Sequence, residues 1–254
     1  GELYTFVKAN NTQLTDNYTT VKGITASDPI SLTIDGGLTN DKITALNTLL
    51  AGAEGTVTAT VTDNDGSNLL GTDAQAGVSL VTSDANDSIT VNLGTFNPDA
   101  TALEEIRKLS TQAGVSRING TATISAADIQ TIIDNSTDWA SLTTSNNYIN
   151  WTLDNKVTAA QAAALVTKSS GTITWHSIED AITALIEADG SAISSNLSSA
   201  LGKDNTVSVT VTTNPLTTSA HVLGINKIVA GIHSANTVTA TLSLDKSEAA
   251  SFSG

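Results

Sequence analysis

The sequence predicts an α/β fold of internal strand–helix–strand–helix repeats, each about 60 residues long. The repeats are expected as two layers of sheet and helix or as a solenoid. Three observations predict this. An alternating apolar/polar stretch recurs at residues 30–35 (ISLTID), 89–93 (ITVNL), 149–154 (INWTLD) and 207–211 (VSVTV). A second one follows each, at residues 55–61 (GTVTATV), 120–124 (GTATI), 171–175 (GTITW) and 236–242 (NTVTATL). Segments with apolar residues at helical spacing lie between the two. In every strand Thr, Ser or Asn takes one face and Val, Ile or Leu the other, the period-two mark of a half-buried strand. The strands of a (β/α)8 barrel or a doubly wound sheet are covered on both faces and read as continuous apolar runs. The alternation therefore argues against both.

Residues 1–28 read as a partial preceding repeat or linker, with residues 21–24 (VKGI) as its last strand. Repeat one covers 29–87. Thr39 or Asn40 caps its helix, and Ile43, Leu46, Leu49 and Leu50 form one stripe. Repeat two covers 88–146. Asp99 caps a helix carrying Ala102, Leu103, Ile106 and Leu109 inward, and Ser125 with Asp128 opens a second helix before Ile129, Ile132 and Ile133. Repeat three covers 147–205. Thr158 and Gln161 make a capping box before Ala162, Leu165 and Val166, and Ser177 with Asp180 opens a helix before Ile182, Leu185 and Ile186. Repeat four, 206–254, is truncated. Val222, Ile225, Val229 and Ile232 repeat at helical spacing after Pro215, and a last helix start at residues 245–248 (DKSE) breaks off. The chain contains no Met, and together with that unfinished repeat it reads as a piece cut from a longer array.

Composition narrows function. The 254 residues carry 25 acidic and 11 basic side chains, a formal net charge of -14. That disfavours nucleic acid, whose phosphates need Lys and Arg, and it disfavours insertion at an anionic membrane surface. No run of about 18 apolar residues is present to span a bilayer. The absence of Cys excludes disulfides, Cys-ligated zinc or iron–sulfur sites and cysteine catalysis. Roughly 40 Thr and roughly 27 Ser make up about a quarter of the chain, well above ordinary usage. Thr is β-branched and suits strands, so a Thr face is soluble yet stiff. Acidic, Thr-rich, Cys-free composition points to an extracellular protein.

With these repeats in view, the chain resembles the repeat regions of very large bacterial secreted cell-surface proteins of the adhesin and surface-layer kind. The resemblance rests on the strand at residues 55–61, its counterparts at 120–124, 171–175 and 236–242, and the Ala/Leu-rich helices between them. It covers most of residues 29–254 and is one of pattern and composition. It implies export to the cell surface and a part in adhesion or surface-layer structure. The calcium-binding nonapeptide run of related proteins is missing.

Candidate sites are few. Residues 63–67 (DNDGS) look like part of a calcium loop, with Asp63 and Asp65 as ligands and Asp84 and Asp87 on a neighbouring loop. The plainer reading is a pair of Asx-rich turns. His176, His221 and His233 lack any metal-ligand spacing, and the turn at Gly36 and Gly37 lacks the rest of a phosphate loop. Trp151 and Trp175 stand at equivalent apolar strand places, where core packing is a plainer role than a sugar platform. The Thr face offers a lattice of Thr56, Thr58, Thr60, Thr121, Thr123, Thr172, Thr174, Thr237, Thr239 and Thr241. No catalytic motif is found.

The expected function is therefore a non-enzymatic structural or adhesive repeat segment of a large extracellular bacterial surface protein, without a cofactor unless calcium is bound. Its partners are neighbouring repeats of the same chain and a glycan or cell-surface ligand. The alternatives are a Thr-lattice module for carbohydrate or another regular surface, and a phage fibre or tail segment.

Overall fold

The computed structural model describes residues 29–34, 38–53, 55–64, 66–72, 75–76, 80, 85–134, 146–213 and 216–241. Residues 21–24, Gly36 and Gly37, Asp65, Asp84, Trp139 and the helix start at 245–248 lie outside them. The fold is mixed α/β, with parallel strands in open sheets and, among the described residues, no closed barrel. The chain divides into two compact units. Unit one is Gly1–Ala122 with Asn135–Asn150, and unit two is Thr123–Asp134 with Trp151–Gly254.

Unit one begins with β1 (Ile30–Ile34), α1 (Asn40–Gly52) and β2 (Val57–Thr62). The Thr39 hydroxyl caps α1 by accepting from the Lys42 N–H at 3.3 Å, and Asp41 places a negative charge in the first turn. β1 and β2 pair in parallel, from Ile30 opposite Val57 to Ile34 opposite Val61. A short antiparallel hairpin, β3 (Gly71–Thr72) with β4 (Gln75–Ala76), follows. Then come β5 (Ser88–Phe96), α2 (Ala100–Thr111) and β6 (Val115–Ile124). Asp99 caps α2 through the Ala102 N–H at 2.7 Å. β5 is parallel to both β2 and β6. The Ile118 N–H donates to the Asn146 carbonyl at 2.7 Å, which brings up the start of β7 (Asn147–Leu153).

Within unit one the strand order is β1-β2-β5-β6-β7, the order of the chain itself. Crossovers between parallel strands are almost always right-handed. A sheet that never reverses direction therefore collects its crossover helices on one face. Burial agrees: Val57, Ala59, Val61, Ile89, Val91, Leu93 and Phe96 are buried, as are Ile43, Leu46, Leu49 and Leu50 of α1 and Leu103, Ile106 and Leu109 of α2. The alternate strand residues, Thr58, Thr60, Thr90, Asn92, Asn119 and Thr121, are exposed or half-buried.

Unit two starts with α3 (Ala126–Asp134), where Asp128 accepts from the Ser125 N–H at 3.0 Å. After β7 come β8 (Lys156–Val157), α4 (Ala159–Val166), β9 (Ile173–Thr174) and β10 (Ser177–Asp180). The chain continues through α5 (Ile182–Leu185), α6 (Ser195–Lys203), β11 (Ser208–Val211), α7 (Ser219–Gly231) and β12 (Val238–Thr239). Trp151 and Thr152 of β7 pair in parallel with β9. A four-stranded parallel sheet has the order β12-β11-β10-β8, again following the chain. α4 carries the expected capping box between Thr158 and Gln161, and it packs on α3 and α6.

Two expectations need correction. Residues 177–180 form the strand β10, not the start of a helix. Asp180 instead accepts from the Ala159 N–H at 3.1 Å, at the start of α4. α5 takes its N-terminal partner from the Thr213 hydroxyl, which accepts from the Ile182 N–H at 2.9 Å. The Ser-x-x-Asp signal was present, but pairing with β8 and β11 prevailed over it. In α7 the buried residues are Gly224 and Ile228, while Val229 is 53% exposed. A Cβ on Gly224 would stand 2.4 Å from the Ile186 Cδ1, so the missing side chain decides which face docks.

Candidate functional site

The outward face of the unit-one sheet carries the most organised set of polar groups. β-Strand pairing puts like positions in rows: Thr58 opposite Ser88, Thr60 opposite Thr90, and Thr62 opposite Asn92. Asn92 in turn lies opposite Asn119, and Thr95 opposite Thr121. Side chains bond along these rows. Asn119 Nδ2 donates to Asn92 Oδ1 at 2.9 Å, and Asn92 Nδ2 reaches Thr62 Oγ1 at 3.5 Å. Arg117 Nε donates to Asn119 Oδ1 at 2.7 Å, and its guanidinium lies 3.8 Å from the centre of the Tyr148 ring. Ser88 and Ser116 join Oγ to Oγ at 3.3 Å.

The β5–β6 register slips between Asn92 and Thr95. Gly94 sits in this bulge with φ +64. Beside it the face opens into a shallow depression of about 380 Å³. Gly94 and Gly120 line it without side chains, and Asn92, Asn119 and Asn150 bring amides to it. Thr95 and Thr121 add hydroxyls.

The predicted Thr lattice is divided. Thr56, Thr58, Thr60 and Thr121 belong to unit one, where Thr58 and Thr121 are exposed. Thr123, Thr172, Thr174, Thr237, Thr239 and Thr241 belong to unit two, and all but the half-buried Thr123 are exposed. Thr237 Oγ1 bonds Ser208 Oγ at 3.2 Å. The three Asn residues were missed as a group. Their signal was an Asn on the polar face of three successive alternating strands, at 92, 119 and 150.

The calcium candidates do not converge. Asp63 follows β2 and Asp87 precedes β5, and the parallel register separates them by about six residues, roughly 20 Å. Asp63 is 1% exposed and accepts from the Asn68 and Leu69 N–H groups at 3.0 and 2.9 Å. Asp87 accepts from the Val57 N–H at 3.0 Å. Asp65 and Asp84 lie outside the described residues, among which no three His, Cys, Asp or Glu side chains gather as metal ligands. His176 and His233 are exposed and His221 is half-buried. Trp151 and Trp175 are 1% and 4% exposed, and the Trp175 indole donates to the Ala200 carbonyl at 3.2 Å, so both are core residues and not a sugar platform.

The Asp63 contacts give an expected result. Asp63→Ala strands the buried Leu69 N–H and the part-buried Asn68 N–H and should cost about 3 kcal/mol in denaturant unfolding, with EDTA present. A variant as stable as the parent in EDTA would show that these contacts carry no structural weight.

No protein-family model, no curated protein and no solved structure matches the chain.

Proposed function

We propose that the chain is a non-enzymatic structural and adhesive segment of a large extracellular bacterial surface protein. The observation that supports this reading most is the one-sided sheet of unit one. Its strands follow chain order, its helices take one face, and its other face is left as an ordered array of hydroxyls and amides. Parallel sheets are ordinarily covered on both faces, so an open one calls for a use. In this reading the strand–helix–strand unit recurs as the repeats 29–87, 88–146, 147–205 and 206–254. Neighbouring repeats extend the array, the polar face meets the target surface, and neither catalysis nor a cofactor is required.

Displaying residues 1–254 on a non-adherent bacterium through an unrelated membrane anchor tests the proposal. Retention on cell-surface polysaccharide under flow should rise several-fold over the anchor alone. Equal retention would overturn the adhesive reading.

A further inference from the structure

Three features of the unit-one depression point to one class of ligand. The first is neutrality. The chain carries 25 carboxylates and 11 amines or guanidinium groups, yet amides, hydroxyls and two glycines line this depression. The lining itself offers an ionic ligand no counter-charge, and the nearest guanidinium, that of Arg117, is engaged by Asn119 and Tyr148. The second is preorganisation. Asn119 is held at both ends of its amide, by Asn92 and by Arg117, and Arg117 is itself held over Tyr148. Each amide has two N–H donors and two acceptor lone pairs. One N–H and one lone pair of Asn119 therefore lie outside these two bonds, in a fixed orientation. The third is access. The depression is shallow, and Gly94 and Gly120 line it with backbone alone, a Cβ on either turning toward the Asn64 carbonyl or the Phe96 ring and not into the opening.

We propose that this depression, with Asn92, Asn119 and Thr121 as its principal contacts, binds a neutral glycan. Vicinal sugar hydroxyls both donate and accept, as do amides and Thr hydroxyls. Aliphatic or aromatic ligands would leave the amides unsatisfied, at a cost. The volume of about 380 Å³ is near the lower end of ligand clefts and suits one or two sugar rings of a longer chain. The shallow shape implies weak binding per site, multiplied by avidity when many copies face one surface. The inference rests on the adhesive reading, and it adds the ligand class and the residues.

The test is an array of neutral oligosaccharides, with sialylated and uronic-acid glycans as comparison probes, read for the purified chain and three variants. The parent should bind at least one neutral glycan and none of the acidic ones selectively. Asn119→Ala should weaken that binding about tenfold. Thr121→Val, which keeps shape and removes only the hydroxyl of an exposed residue, should weaken it several-fold with an unchanged circular dichroism spectrum. Thr58→Val lies outside the depression and should bind as the parent does. A blank neutral panel, a preference for acidic glycans, or equal binding by Asn119→Ala and Thr121→Val would overturn the proposal. Adhesion under flow that survives in both variants would leave the adhesive reading standing and reject this site. Variant-sensitive glycan binding without adhesion would keep the site and reject the adhesive reading.

Discussion

Gly94→Ala should lower the unfolding free energy by about 3–4 kcal/mol. Two costs combine. Gly94 has φ +64, a left-handed conformation in which an L residue loses about 1–2 kcal/mol. Its new Cβ would also stand 1.9 Å from the Asn64 carbonyl oxygen. That oxygen belongs to the backbone of the turn after β2, so the turn itself must move. The Thr95 N–H, which bonds the same oxygen at 3.4 Å, moves with it. Urea unfolding monitored by circular dichroism measures the loss. Gly202→Ala is the matched comparison. It lies in α6 with nothing within 4 Å of the added Cβ. It should stabilise the chain by about 0.5 kcal/mol, since Ala is the better helix former. If the two variants unfold alike, the bulge geometry is wrong.

Trp151→Ala should cost about 4 kcal/mol, the usual range for emptying a large aromatic site. Trp151 is the largest fully buried side chain among the described residues, on the strand that pairs with β9. Its indole N–H is buried with no acceptor among the described residues. That predicts a contrast. Trp151→Phe removes the N–H along with some volume, so relief of the polar penalty offsets part of the cavity cost, and the loss should stay near 1 kcal/mol. Calorimetry on both variants checks the pair. A Phe variant as unstable as the Ala variant would mean that the indole has a partner.

The sequence revealed most of the fold because the strands alternate strictly. Each of the eight strands anticipated between residues 29 and 254 has a counterpart, shortened to Ile173–Thr174 and Val238–Thr239 in two cases, while the ninth, at 21–24, lies outside the described residues; the caps at Thr39, Asp99 and Thr158 bond as their residue types suggest. Short range explains that success: capping involves residues three apart, and alternation is a property of a single strand. What stayed hidden depends on pairing. Ser177 and Asp180 carry a cap signal, and only the neighbouring strands β8 and β11 turn them into a strand. The distance between Asp63 and Asp87 follows from the register of β2 and β5, which no local pattern encodes. The same holds for the site. Asn92, Asn119 and Asn150 are scattered over 59 positions of the sequence; the parallel β5–β6 pairing with its bulge sets Asn92 opposite Asn119, and Asn150 joins them around one depression. The Thr face was visible as composition, but the amide row within it was not.

The open face of the unit-one sheet is also stabilised by its own side chains. The Ser88–Ser116 and Asn92–Asn119 bonds tie adjacent strands together, each contributing a few tenths of a kcal/mol to about 1 kcal/mol. This helps a parallel sheet stay ordered on a face whose described side chains are exposed or half-buried.

Thiol labelling of single-Cys variants tests that one-sidedness most directly, because the chain has no Cys of its own. Thr58→Cys and Thr121→Cys replace exposed residues, and Val91→Cys and Ala122→Cys replace residues that are 0% exposed. Under native conditions the first pair should react with a maleimide nearly as fast as in the unfolded chain. The second pair should react slower by orders of magnitude, limited by opening of the core. Protection of Cys at 58 and 121 as strong as that at 91 and 122 would contradict an open polar face.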